Sequence, residues 1–147
     1  MLVNCVVYND GHKVADSTLE DVTQYLQQAG NFVWVALQDA TEPELRILQK
    51  QFNLHELAVE DVFNGLQRPK VEEYDEHLFV ILQAPAYHGK DLHMGQINIF
   101  VGSNFVLSVR QECEQTLLGV RARAEREPHM LKYGSASVSY THLTLPT

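Results

Sequence analysis

The segment that most constrains this chain is Phe32-Val33-Trp34-Val35-Ala36-Leu37, its longest unbroken apolar run at six residues. Side chains of a strand alternate between two faces, so a strand apolar at every position must be covered on both. That environment belongs to the middle of a sheet with cover on each side. A bilayer-spanning helix needs ~20 apolar residues, so this run is far too short to cross a membrane, and no segment of the chain is expected to do so. A chain of 147 residues has a folded surface of about 7,600 Å² against about 24,000 Å² unfolded, enough burial for one core and too little for two domains. Hydrophobic residues at 45% and charged residues at 20% exclude a disordered tail.

The elements around that strand are spelled out by periodicity and caps. Residues 1–8, rich in Val and Leu, read as a strand ending at the turn Asn9-Asp10-Gly11. Ser17-Thr18-Leu19-Glu20 has the spacing of a capping box, and Leu19, Val22, Leu26 and Ala29 follow at helical spacing up to Gly30. Thr41-Glu42-Pro43-Glu44 repeats the capping logic ahead of Leu45, Leu48 and Phe52. A short third helix is expected over 54–63, stopping at Asn64-Gly65. The pattern then changes. Arg68-Pro69 forces extended backbone, so 69–74 reads as a strand, followed by a buried strand over 78–84. Ile97, Ile99 and Val101 alternate with Gln96, Asn98 and Phe100, and Gly102-Ser103-Asn104 turns the chain into 105–110, an antiparallel hairpin with one moderately polar face. A helix over 112–127 is expected to end at Pro128. Interleaved helices and strands followed by a meander predict an α/β fold, a mixed sheet sandwiched between helices.

The charge balance narrows the partners. With 11 basic against 19 acidic side chains the net charge is −8, which argues against nucleic acid and anionic lipid and favours cations. Cys5 and Cys113 have no metal or disulfide spacing and read as reduced structural thiols.

Catalytic signatures are absent from the sequence: it has no phosphate-cradling Gly-Lys loop and no Gly-rich dinucleotide turn. His55-Glu56 opens like a zinc-protease helix, but Val59 occupies the position of the second ligand. His88 and His93 flank a turn and read as solvated loop residues. What stands out is acidic density. Glu56, Glu60, Asp61, Glu72, Glu73, Asp75 and Glu76 face only Arg68 and Lys70, so seven negative charges less two positive leave −5 of the total −8 in that segment. Runs of charge are usually solvated faces. Here, Glu56 and Glu60 are four apart, so on a helix they share a face with Asp61 one step round. Such spacing is repulsive unless a cation lies between the carboxylates, and hard oxygen donors suit Mg²⁺ or Ca²⁺.

Three stretches, Trp34-Val35-Ala36-Leu37, Leu54-His55-Glu56-Leu57-Ala58-Val59-Glu60-Asp61-Val62 and Gln67-Arg68-Pro69-Lys70-Val71-Glu72, resemble the cytoplasmic N-terminal domain of CorA-type divalent-cation transporters. The resemblance covers residues 1–137 and departs at Glu56, where many members carry Pro. It implies a mixed sheet between helices, leading into a stalk helix and two membrane helices that this chain lacks, along with the family's Gly-Met-Asn pore motif. It further implies a homopentameric channel at the cytoplasmic face of the cell membrane, passing Mg²⁺ with Co²⁺ or Ni²⁺, and Zn²⁺ in a related branch. The resemblance also implies that Asp61 helps to bind regulatory Mg²⁺ between subunits, opposite a carboxylate of a neighbour's stalk, with Glu60 matching a residue that contributes nearby in some members. The chain is thereby expected to be a sensor and not an enzyme.

Residues 138–147, Val138 to Thr147, have neither helical periodicity nor a cap and read as a foreign or frameshifted tail. Two other readings compete. One is a free-standing domain of the same fold that binds divalent cations or protein. The other is a metal-dependent hydrolase using Glu56, Glu60 and Asp61, the weakest because no nucleophile or base completes a site.

Overall fold

The sheet grows outward from that apolar strand. In the computed structural model, which describes residues 2–65, 67–74 and 77–111 (side chains of 84–88 and 93 excepted), it is β3, Asn31–Gln38, buried from Asn31 through Leu37. On one side it pairs antiparallel with β1, Leu2–Asn9, and on the other it pairs parallel with β7, Phe105–Gln111. The remaining strands are β2, His12–Asp16, β4, Lys70–Glu73, β5, His77–His88, and β6, Asp91–Gly102. Their order is β2-β1-β3-β7-β6-β5-β4, a mixed seven-stranded sheet among the described residues. The helices α1, Val22–Leu26, α2, Glu42–Phe52, and α3, Glu56–Phe63, lie in the connections that follow β2 and β3.

Strand alternation sorts the core into two clusters. Val7, Val33, Val35, Leu107 and Val109 face one way and bury Leu45, Leu48 and Phe52 of α2 with Ala58, Val59 and Val62 of α3. Val6, Tyr8, Phe32 and Trp34 point to the opposite face with Ile97, Ile99 and Val106. Both faces of β3 are therefore buried, as its sequence demands. Cys5 is free and buried, and burial pushes its thiol up to about 11, so it behaves as a small apolar residue.

Several expected elements differ. The Asn9-Asp10-Gly11 turn has positive φ at Asp10 (50°) and Gly11 (81°), the pattern of a tight hairpin, and it creates the unforeseen β2. Only one residue of β2 is even half-buried, so no alternation announces it. The capping box at Ser17 does not form. The Ser17 backbone N–H extends the hairpin by donating to the Cys5 carbonyl at 2.9 Å, its hydroxyl turns to the Thr18 carbonyl, and α1 begins later, behind Asp21 with no side-chain cap. The box at Thr41 does form. Thr41 N–H donates to Glu44 Oε1 at 2.9 Å, and that bond holds the Glu44 carboxyl below its ordinary value. Strands β5 and β6 are longer than expected. The polar side of β6 faces the core: Gln96 and Asn98 are both fully buried on the face that carries the helices. The expected helix over 112–127, Cys113 and the 138–147 tail lie outside the described residues, as do the side chains of His88 and His93.

Candidate metal centre

Helix α3 carries Glu60 and Asp61, and both of its ends are tied down. At its start His55 is the N-cap: Leu57 N–H donates to His55 Nδ1 at 3.1 Å, and His55 N–H donates to Nε2 of the buried His77 at 3.0 Å. At its end the last-turn carbonyls, which lack i→i+4 partners within the helix, accept from glutamine side chains, Asp61 O also from the C-cap Asn64 N–H at 3.3 Å. Gln67 Nε2 donates to Asp61 O at 2.6 Å and Gln111 Nε2 to Val62 O at 2.7 Å. Those glutamines are held in turn. Gln67 N–H donates to Gln96 Oε1 at 2.8 Å, Gln96 Nε2 to Asn98 Oδ1 at 3.0 Å, and Asn98 Nδ2 to Gln111 Oε1 at 3.3 Å. The buried polar row of β6 thus closes the C-terminal end of α3.

The carboxylates on this helix part company. Glu56, in its first turn, reaches away to α2, accepting from Arg46 Nη1 at 2.9 Å and Gln49 Nε2 at 2.7 Å. These bonds, Gln49 first, lower its proton affinity. The expected Glu56–Glu60–Asp61 face is therefore not one cluster, because Glu56 already has partners on the preceding helix. Glu60 is exposed and Asp61 half-buried. Asp61 Oδ2 accepts from Lys70 Nζ at 2.7 Å, and the same ammonium lies 2.8 Å from Glu72 Oε1. Beyond it the Tyr74 hydroxyl donates to Glu72 Oε2 at 2.5 Å, and the Tyr74 ring stacks on His55 with centroids 4.2 Å apart. Lys70, Glu72 and Tyr74 alternate along one face of β4 and its continuation, so that face runs beside α3 from Asp61 back to its N-cap. A strand was expected over 69–74, but the sequence singled out neither this shared face nor its partner on α3.

No group of three or more His, Cys, Asp or Glu that could hold a metal occurs among the described residues. Asp61 and Glu60 have the hard oxygen donors that Mg²⁺ takes, and Mg²⁺ commonly uses only one or two carboxylates beside its waters. Their chemistry fits part of such a site.

The β4 row is also the clearest source of pH dependence. Burial and then the bond to Glu72 push the Tyr74 phenol from 10.0 up to about 12. Asp61 and then Glu72 raise the Lys70 ammonium above 10.5. A raised pKa means that the unfolded chain loses its proton first, so this stability is complete below about 10 and lost as pH rises through about 12. Glu72 runs the other way: Lys70 and then Tyr74 lower it from 4.5, so its contribution is present above 4.5 and lost as pH falls through the lowered value. Thermal unfolding followed against pH is expected to show an alkaline limb that Tyr74→Phe flattens; an unchanged limb would place its origin elsewhere.

Residues 29–139 match the family model described as CorA-like Mg2+ transporter protein. The chain belongs to this family. Members of the CorA-like family are ion transporters rather than enzymes. YfjQ of Bacillus subtilis strain 168, named as a metal ion transporter, is 32% identical over 107 residues, which are 73% of this chain and 33% of YfjQ. The chain therefore spans about a third of the length of that curated relative. The solved structure of full-length CmaX superposes with a TM-score of 0.72 at 16% identity, covering 95% of this chain and 43% of CmaX. The soluble domain of CorA from Methanocaldococcus jannaschii gives 0.61 at 20% identity, covering 97% of this chain and 56% of that domain. The mixed sheet with helices described above is thus the CorA soluble-domain fold. Among the described residues no helix is long and apolar enough to cross a membrane.

Proposed function

We propose that this chain is the cytosolic Mg²⁺-sensing domain of a CorA-like magnesium/cobalt transporter, with Asp61 and Glu60 as its contribution to a regulatory site between subunits. On this reading residues 1–137 form one domain of a homopentamer at the cytoplasmic face of the cell membrane, joined to stalk and pore by helices that follow it. The observation that carries it is the placement of Asp61. It sits on the last turn of a helix fixed at both ends, next to the exposed Glu60, in a chain that matches the family from residue 29 to residue 139. A sensor needs its ligands on an element that transmits force, and the glutamine bonds to Asp61 O and Val62 O couple α3 to the sheet.

A dication at this position would supply two positive charges between acidic subunit faces. Each chain carries a net charge of −8, and repulsion between such faces is strong where water is partly excluded. Asp61 and Glu60 would then favour the assembled, closed arrangement by as much as they bind the ion better there than in the open one.

The test uses the full-length transporter. Asp61→Ala is expected to raise the Mg²⁺ concentration that half-inhibits transport by at least about tenfold, as loss of a metal-site residue does. Inhibition at the original concentration would overturn the assignment.

A further inference from the structure

Asp61 already has a cation. Lys70 Nζ lies 2.7 Å from Asp61 Oδ2 and 2.8 Å from Glu72 Oε1, so one ammonium is shared about equally by two carboxylates. We propose that Lys70 is a built-in competitor for the divalent ion at Asp61, and that Glu72 is the carboxylate that keeps Lys70 when Asp61 gives it up. This rests on the sensing role proposed for Asp61 and adds what sets its threshold.

The geometry makes the exchange cheap in one direction. Were Asp61 the sole partner of Lys70, giving it up would strand an ammonium beside the protein surface. With Glu72 on the same face of β4, two residues on, Lys70 keeps a charge-assisted bond at its present distance and only one of its two contacts is lost. Its flexible four-carbon stem allows the small swing. Glu72 is itself steadied by the Tyr74 hydroxyl, so the receiving carboxylate does not have to reorganise. Charge points the same way. Asp61, Glu72 and Lys70 together carry −1, and the exposed Glu60 next to Asp61 brings the group to −2. The resident ammonium leaves a deficit that a dication can meet and a second monovalent cation cannot. Binding at Asp61 is therefore an exchange of partners, and its affinity is set below that of a bare aspartate.

Four variants of the full-length transporter, three single and one double, test this, with Mg²⁺ alone as the probe. The readouts are Mg²⁺-dependent protection from thermal unfolding and, independently, the half-inhibiting Mg²⁺ concentration for transport. Lys70→Met keeps the stem and removes the competitor, and both midpoints are expected to fall about two- to fivefold, the range of a partly exposed ion pair. Glu72→Gln removes the alternative partner, and both midpoints are expected to rise by a similar factor. In the Lys70→Met background Glu72→Gln is expected to have little further effect, because Glu72 acts through Lys70. Additive shifts would show mere loss of charge and overturn the proposal, as would a Lys70→Met midpoint that does not fall. Asp61→Asn separates the two readings. If it abolishes the Mg²⁺ response while Lys70→Met leaves the midpoint unmoved, the competition fails and the sensing role stands. If Asp61→Asn changes nothing, both fall together.

Discussion

Gln96→Leu is expected to destabilise the fold by about 2–4 kcal/mol and to weaken Mg²⁺ sensing at a distance, although residue 96 lies on a strand and touches no candidate ligand. Leucine is close in size and more apolar, so area alone would forecast a gain. The side chain is fully buried, however, and both ends of its amide are in use, accepting from Gln67 N–H and donating to Asn98 Oδ1. Removing it orphans a donor and an acceptor, each costing about 1–3 kcal/mol where water cannot replace the partner. The loss then travels. Gln67 and Gln111 are the donors to the last-turn carbonyls of α3, and with Gln67 and Asn98 loosened the turn that carries Asp61 has fewer constraints. Denaturant unfolding measures the first effect, and amide exchange at residues 60–64 measures the second. Stability equal to that of the parent would mean that the polar row is incidental to the core.

This row shows where sequence reading stops. The central strand was legible because six successive apolar residues leave one environment for it, and the Thr41 box because both of its partners lie within four residues. Strand β2 carries no such signal, since an exposed edge places no demand on its side chains. Gln96 and Asn98 are legible only as a moderately polar face alternating with isoleucines, and only the tertiary fold shows that this face is buried with α3 ending against it. The site was half legible. Acidic density and the resemblance singled out Asp61 and Glu60, and the Arg68-Pro69 break predicted a strand over 69–74 without singling out Lys70 or Glu72. That Lys70 meets Asp61, and that Arg46 draws Glu56 away, are contacts between elements nine and ten residues apart in sequence that no local spacing encodes.

Gly102→Ala is expected to cost about 3 kcal/mol, or roughly 6–12 °C in Tm for a domain of this size. The reason is space and not backbone freedom. A Cβ at residue 102 would lie 2.1 Å from Phe105 Cε1 and 2.5 Å from Cδ1, well inside contact distance. The ring has little room to withdraw, because it is stacked on Phe52 with centroids 4.1 Å apart and planes 9° from parallel. Phe52 ends α2, whose start is held by the Thr41 box, so relief would have to come from shifting the helix or opening the β6–β7 turn. Gly65 provides the control. It has positive φ (79°) but nothing within 4 Å of an added Cβ, so Gly65→Ala should cost only the left-handed strain of about 1–2 kcal/mol. Phe105→Leu, itself destabilising through loss of the stack, is expected to cost less in the Gly102→Ala background than alone, since the smaller side chain vacates the space that the new methyl needs. Thermal unfolding of the four variants decides it. Strict additivity between positions 102 and 105 would show that the turn, and not the ring, absorbs the added methyl.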